Sequence, residues 1–160
     1  MFVKSRLWKL IGTSNTKNTH MTIRQLSVFL ENKPGYLNEV LAVLARYNIN
    51  INALTIADTS DYGLARILVS DPQLAQEKLH EANFAVRIHD VLSLEMGAEP
   101  GSLYHILNLF AEANISIEYV YAFSFGSKSI LVFRTDNREK AVELILKNKL
   151  KSITEEDLAQ

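Results

Sequence analysis

The sequence predicts an α+β protein built from two β-α-β-β-α-β repeats, each an antiparallel sheet with both helices on one face. Three observations carry this. The stretch Asn32-Lys33-Pro34-Gly35-Tyr36-Leu37 has a counterpart, Ala98-Glu99-Pro100-Gly101-Ser102-Leu103, 66 positions later. The helix face Leu37, Val40, Leu41 and Leu44 recurs at the same offset as Leu103, Ile106, Leu107 and Phe110. Asn48-Ile49-Asn50-Ile51 recurs as Asn114-Ile115-Ser116-Ile117. A shared offset across a loop, a helix face and a strand start marks an internal repeat rather than chance.

Residues 23–30 alternate, with Leu26, Val28 and Leu30 on one side, and predict a half-buried strand. Pro34 and Gly35 then turn the chain into a helix. Proline fixes φ and lacks an amide hydrogen, and glycine lets a backbone or ligand come close. Leu37, Val40, Leu41 and Leu44 stand at i, i+3, i+4 and i+7, one face of that helix. Residues 51–58 and 62–69 form a hairpin across the turn Thr59-Ser60-Asp61. Asp71 caps the second helix, with Pro72 in its first turn. Residues 84–88 form the fourth strand.

The order then repeats. Strand 117–125, a Gly126-Ser127 turn and strand 128–135 make a second hairpin, followed by a helix over 136–149 and a short strand over 150–153. Aligning Asp136 with Asp71 as the cap lowers the offset to 65, a one-residue deletion near the hairpin turn. At the junction, Phe84, Val86, Ile88, Leu92, Leu94 and Met96 hold one side of an alternation that only Asp90 breaks. No Gly/Ser/Pro linker intervenes, so the repeats are expected to be rigidly joined. The expected division is a basic, disordered tail over 1–20, a first repeat over 21–90 and a second over 91–160.

Composition narrows the function classes. The 160 residues are 48% hydrophobic and 22% charged, values of a soluble globular protein. There are 17 basic and 18 acidic residues, which offers no electrostatic case for nucleic acid or a membrane surface. Without cysteine there is no disulfide, thiolate nucleophile or Cys-type zinc site. No apolar run approaches a spanning helix. A cytoplasmic location fits. Residues 1–20 carry Lys4, Arg6, Lys9 and Lys17 and no acid, leaving the rest with a net charge of -5. They are either an appended tail ahead of Met21 or a targeting or anchoring segment.

A β-α-β-β-α-β unit of this length is a ferredoxin-like sandwich, a fold that hosts many functions. The loop Asn32-Lys33-Pro34-Gly35-Tyr36-Leu37, the helix after it and Asn48-Ile49-Asn50-Ile51 are more telling. They resemble the ACT domain, the amino-acid-sensing regulatory module of metabolic enzymes. The resemblance covers 21–153 as two tandem copies, as in stand-alone tandem ACT proteins of bacteria. It implies ligand binding between paired ACT units, beside the loop between first strand and first helix. Asn32 and Asn50 hold the positions that bind ligand in the serine-sensing members. The chemistry agrees: an amide side chain offers both a donor and an acceptor to a zwitterion, and the helix start adds amide donors. The expected ligand-binding residues are Asn32, Lys33, Pro34, Gly35, Tyr36, Leu37, Asn50 and Ile51. A weaker second site is expected at Glu99, Pro100, Gly101, Ser102 and Leu103, where Ala98 and Ser116 replace the two asparagines. The alternative reading is structural: Asn32 shapes a turn and Asn50 begins a strand.

Catalytic constellations are missing. His20, His80, His89 and His105 have no metal-ligand spacing, and the sequence contains no phosphate loop or nucleophile elbow. Glu155, Glu156 and Asp157 read as a solvated acidic end. Tyr119, Tyr121, Phe123 and Phe125 alternate and are expected to share a face with Ile117, as a core or interface face rather than a base-stacking platform. Such faces and open strand edges suit a homodimer. The expectation is therefore a non-catalytic regulatory protein without metal or cofactor. It binds a free amino acid and signals through changed packing between ACT units. The alternative is an interaction subunit of an amino-acid biosynthetic enzyme that has no ligand of its own.

Overall fold

Two runs of elements follow one another at a constant spacing. The structure, a computed structural model, describes residues 21–58 and 62–158. The expected tail and the Thr59-Ser60-Asp61 turn lie outside the described residues. The elements are β1 (Thr22–Glu31), α1 (Tyr36–Arg46), β2 (Ile51–Asp58), β3 (Tyr62–Val69), α2 (Pro72–Glu81) and β4 (Val86–Met96). They continue as α3 (Ser102–Glu112), β5 (Ile117–Phe125), β6 (Lys128–Thr135), α4 (Arg138–Lys147) and α5 (Glu155–Leu158). The chain divides into two compact units, one of residues 24–91 with Leu158, the other of residues 21–23 and 92–157.

In the N-terminal unit the strand order is β2-β3-β1-β4. β3 is antiparallel to both β2 and β1, with Leu26 opposite Ile67 and Leu30 opposite Gly63. Both helices pack on the face presented by Leu26, Val28, Ala65 and Ile67, burying Val40, Leu44, Ala75 and Leu79 against them. Their i, i+4 spacing places Val40 with Leu44 and Ala75 with Leu79 on one helical stripe each.

In the C-terminal unit the order is β4-β6-β5, with Leu92 opposite Phe133 and Leu94 opposite Leu131. Residues 151–153 run along β4: the Glu95 amide donates to the Lys151 carbonyl at 2.8 Å, and the Ile153 amide to Ser93 at 3.2 Å. Where the sequence predicts a short last strand over 150–153 the structure has a single bridge, Ser152 opposite Leu94, rather than a strand. Phe110 and Phe133 meet edge to face at 5.1 Å in the centre of this core, both fully buried.

β4 is one uninterrupted strand of 11 residues. The apolar alternation across the junction therefore has the simplest cause: one strand ends the first repeat and begins the second.

Two further expectations are corrected. First, the offset stays at 66 throughout, so no residue is deleted. β6 and α4 begin 66 residues after β3 and α2, and the cap of α4 is Asn137, whose side chain accepts the Lys140 amide at 3.0 Å. Asp136 instead accepts the Ser116 amide at 3.0 Å, the place Ser70 holds toward Asn50 in the other unit. Second, Ile117 does not share a face with the β5 aromatics. A bulge between Ile117 and Tyr119 shifts the register, setting Val120 opposite Phe133 and Tyr121 opposite Val132. Ile117 packs toward the helix-side core with Phe133, while Tyr121 and Phe123 turn to the other face.

Candidate functional site

The site is built where β1 ends and α1 begins. β1 delivers Glu31 beyond its last buried residue, Leu30, and the chain turns through Asn32 and Lys33. The Lys33 amide donates to the Glu31 carbonyl at 2.8 Å, and the Tyr36 amide to the Lys33 carbonyl at 3.3 Å. Gly35 sits at φ 85°, a left-handed conformation that a side chain resists. It starts α1 without a side-chain cap, as Gly101 does for α3 at φ 88°. α2 and α4 are capped by Asp71 and Asn137. The helices after the Pro-Gly loops, unlike α2 and α4, thus have first-turn amides that receive no capping side chain from the N-cap.

Beside this turn lies an open-sided depression of about 180 Å³. Its rim is polar, formed by Glu31, Asn32 and Lys33. Its floor and walls are Leu30, Leu37, Ile56, Tyr62 and Gly63. Glu31 and Lys33 form an ion pair on the rim, both exposed. The Glu31 hydrogen bond and its charge hold the Lys33 ammonium above the usual lysine value. The rim therefore presents a carboxylate, an amide and an ammonium within three consecutive residues.

The structure divides the expected site residues into three groups. Asn32, Lys33 and Leu37 line the depression. Pro34 and Gly35 make the turn, and Tyr36 faces inward, its ring 5.4 Å from that of Phe84 at 84°. Asn50 and Ile51 stand at the opposite end of the sheet. Ile51 pairs with Val69, whereas Asp58 and Leu30 both pair with Gly63. The length of β2, roughly 23 Å at about 3.3 Å per residue, separates Asn50 from the Asn32 loop within one chain. The Asn50 backbone closes on Ser70, its amide donating to the hydroxyl at 3.1 Å.

Residues at the end of the hairpin were not foreseen: Ile56, Tyr62 and Gly63, with Leu30 and Glu31 beside them. The signal was a glycine within a strand, which marks a place where something approaches closely.

The second loop keeps the turn and alters the chemistry. The Ser102 hydroxyl donates back to the Glu99 carbonyl at 2.8 Å, and the Ser102 amide donates to it at 3.1 Å. Gly101 makes the same left-handed entry, while Leu103 and Tyr104 are exposed. At the positions of Glu31, Asn32 and Lys33 stand Gly97, Ala98 and Glu99. Among the described residues no group of three or more His, Asp or Glu side chains could hold a metal ion. No helix among them is long and apolar enough to cross a membrane.

Comparison with known proteins identifies the fold. The ACT domain pair family matches residues 21–160. The acetolactate synthase isozyme 3 small subunits of Salmonella typhimurium and Escherichia coli are each 28% identical over 107 residues, which is 67% of this chain. The match spans 61% of the length of these curated relatives. Among solved structures, protein BT0572 from Bacteroides thetaiotaomicron superposes with a TM-score of 0.83 at 39% identity, covering 89% of this chain and 99% of that one. The ligand-free regulatory subunit of aspartate kinase from Thermus thermophilus shares the fold, with a TM-score of 0.56 at 14% identity over 79% of this chain and 92% of that one. With one βαββαβ unit following another at a constant 66 residues, the first helix of each entered through a Pro-Gly turn, the chain belongs to the ACT domain pair family.

Proposed function

We propose that this chain is a non-catalytic regulatory protein that binds a free amino acid at the Asn32–Leu37 loop. The observation that carries the reading is the rim of the depression. Glu31, Asn32 and Lys33 offer a carboxylate for an α-ammonium, an ammonium for an α-carboxylate and an amide that serves either. The depression is also small. Pockets for drug-sized ligands run to roughly 300–1,000 Å³, and about 180 Å³ suits an amino acid better than a nucleotide.

A homodimer completes this site. β2 is an edge strand without charge or proline over residues 51–57, and Leu54 and Ile56 are 38% and 42% exposed on its helix-bearing side. Antiparallel pairing of two copies about Thr55 sets Leu54 of one opposite Ile56 of the other and Asp58 opposite Asn52. Asn50 of one copy then comes to the end of the sheet that carries the Asn32 loop of the other. The two asparagines, distant within a chain, thereby act on one ligand. A ligand held this way favours one packing of ACT units over another, which is what regulation requires.

The regulated partner is a metabolic enzyme. This rests on the relatives, which are named as a small subunit of acetolactate synthase and a regulatory subunit of aspartate kinase. Calorimetric titration with the twenty amino acids, run beside sedimentation analysis, tests the reading. Binding of at least one amino acid with stabilisation of a dimer supports it. A chain that binds none while co-purifying with a biosynthetic enzyme is instead an interaction subunit without a ligand.

A further inference from the structure

We infer that the depression selects an amino acid with an aliphatic side chain, and that Gly63 sets the size it accepts. This deepens the proposed function and rests on it. The rim and the floor divide the work of recognition. Glu31 and Lys33 meet groups that every free amino acid carries, so the rim does not discriminate among side chains. The floor does: Leu30, Leu37 and Ile56 surround Gly63. Among the described residues it presents hydrocarbon and no charged side chain, so a ligand with a charged or strongly polar side chain would lose hydration against them without gaining a partner.

Gly63 makes the room. It is buried in the middle of this floor and pairs with Leu30 on β1 and with Asp58 on β2. A Cβ at this position would stand 3.5 Å from the Leu30 Cβ and 3.6 Å from the Ile56 Cγ2, ordinary contact distances. Its φ lies outside the left-handed region. Alanine therefore fits without backbone strain, and the absence of a side chain at 63 serves the space above it rather than the turn. The other unit supports this by contrast. Its corresponding residues are Ser129 for Gly63, Ala122 for Ile56 and Lys128 for Tyr62, and Gly97, Ala98 and Glu99 on the rim. Leu37 is retained as Leu103, but the rim residues, Ile56 and Gly63 of the first unit are all replaced in the second.

The test is titration calorimetry on the full chain with leucine, isoleucine, valine, alanine, serine, aspartate and lysine, followed by the same series on Gly63→Ala and Glu31→Gln. The expected result is tightest binding by a branched aliphatic amino acid. Gly63→Ala should then weaken that ligand by roughly 10- to 100-fold, the usual effect of one methyl group in a fitted pocket, while alanine changes little. Glu31→Gln should weaken all ligands by a similar factor and leave their ranking unchanged. Preference for serine, aspartate or lysine overturns the aliphatic assignment and leaves amino-acid binding standing. A Gly63→Ala protein that is folded, by its circular dichroism, and binds the whole series as the parent does overturns the role of Gly63. Failure of every amino acid to bind overturns the proposed function itself.

Discussion

Replacing Gly35 by alanine tests whether the repeated turn is held by backbone conformation alone. Gly35 has φ 85° and ψ -13°, and a Cβ built there meets nothing within 4 Å. Steric collision with the surroundings therefore adds nothing to the cost. What remains is the left-handed conformation, unfavourable by about 1–2 kcal/mol for an ordinary L-residue, and more than the unfolded-state entropy that alanine removes. With that entropy of about 0.4–1 kcal/mol subtracted the net cost is about 0.5–1.5 kcal/mol, and at about 2–4 °C per kcal/mol for a chain of this size Gly35→Ala should melt about 1–6 °C lower. Two controls come from the protein itself. Asparagine already occupies φ 55°, 64° and 54° at Asn48, Asn83 and Asn114, so Gly35→Asn should cost distinctly less than alanine. Gly63→Ala, with no left-handed φ, should melt close to the parent. Thermal denaturation followed by circular dichroism reads all three. An alanine at 35 as harmless as one at 63, or an asparagine as costly as alanine, refutes the conformational explanation of the repeated Pro-Gly turn.

Other outcomes follow from the same structure. Asn32→Ala should weaken amino-acid binding roughly 10- to 100-fold, the range of a hydrogen bond to a charged group, and change stability by under about 0.5 kcal/mol because Asn32 is exposed. Ser102→Ala should do little to that binding, since the Ser102 hydroxyl is engaged with the Glu99 carbonyl. Phe110→Ala should cost about 3–5 kcal/mol in denaturant titration, because Phe110 is fully buried against Phe133. Asn137→Ala should cost about 1 kcal/mol through loss of the α4 cap. Asp157 has its carboxyl held below the usual range by the Thr154 amide and hydroxyl, both at 2.9 Å. Its folded pKa is depressed, so its contribution is present above the ordinary carboxylate range and is lost as pH falls through the lowered value. The protection factor of the Thr154 amide, its exchange rate relative to the intrinsic rate at each pH, should fall on acidification in the parent and stay flat in Asp157→Asn.

Periodicity made the fold legible, because each repeat carries its apolar faces in local sequence. Leu37, Val40, Leu41 and Leu44 declare a helix without reference to any other part of the chain. The second cap was misread for a local reason as well. Asp136 and Asn137 are adjacent and both are good capping residues. Which one caps depends on where β6 stops, and Asp136 is drawn to the Ser116 amide 20 residues away. The bulge at β5 is a similar case, since strict alternation along Tyr119, Tyr121, Phe123 and Phe125 says nothing about the step before it.

The candidate site was half legible. The loop from Asn32 to Leu37 is contiguous and its Pro-Gly turn is recognisable. Its floor comes from strand pairing: Glu31 lies opposite Tyr62, and Leu30 opposite Gly63, across a sequence separation that no local pattern reports. The same pairing shows why Asn32 and Asn50 cannot be treated as neighbours in one chain. β2 runs between them, and it is the proposed antiparallel dimer that would bring Asn50 of one copy to the Asn32 loop of the other.

The most direct measurement is calorimetric titration of the full chain, parent and Asn32→Ala, with the twenty amino acids. Amino-acid recognition at the first Pro-Gly loop predicts saturable binding of one ligand per chain in the parent and a loss of roughly 10- to 100-fold in Asn32→Ala. Undiminished binding by Asn32→Ala, or no binding by the parent, would contradict it.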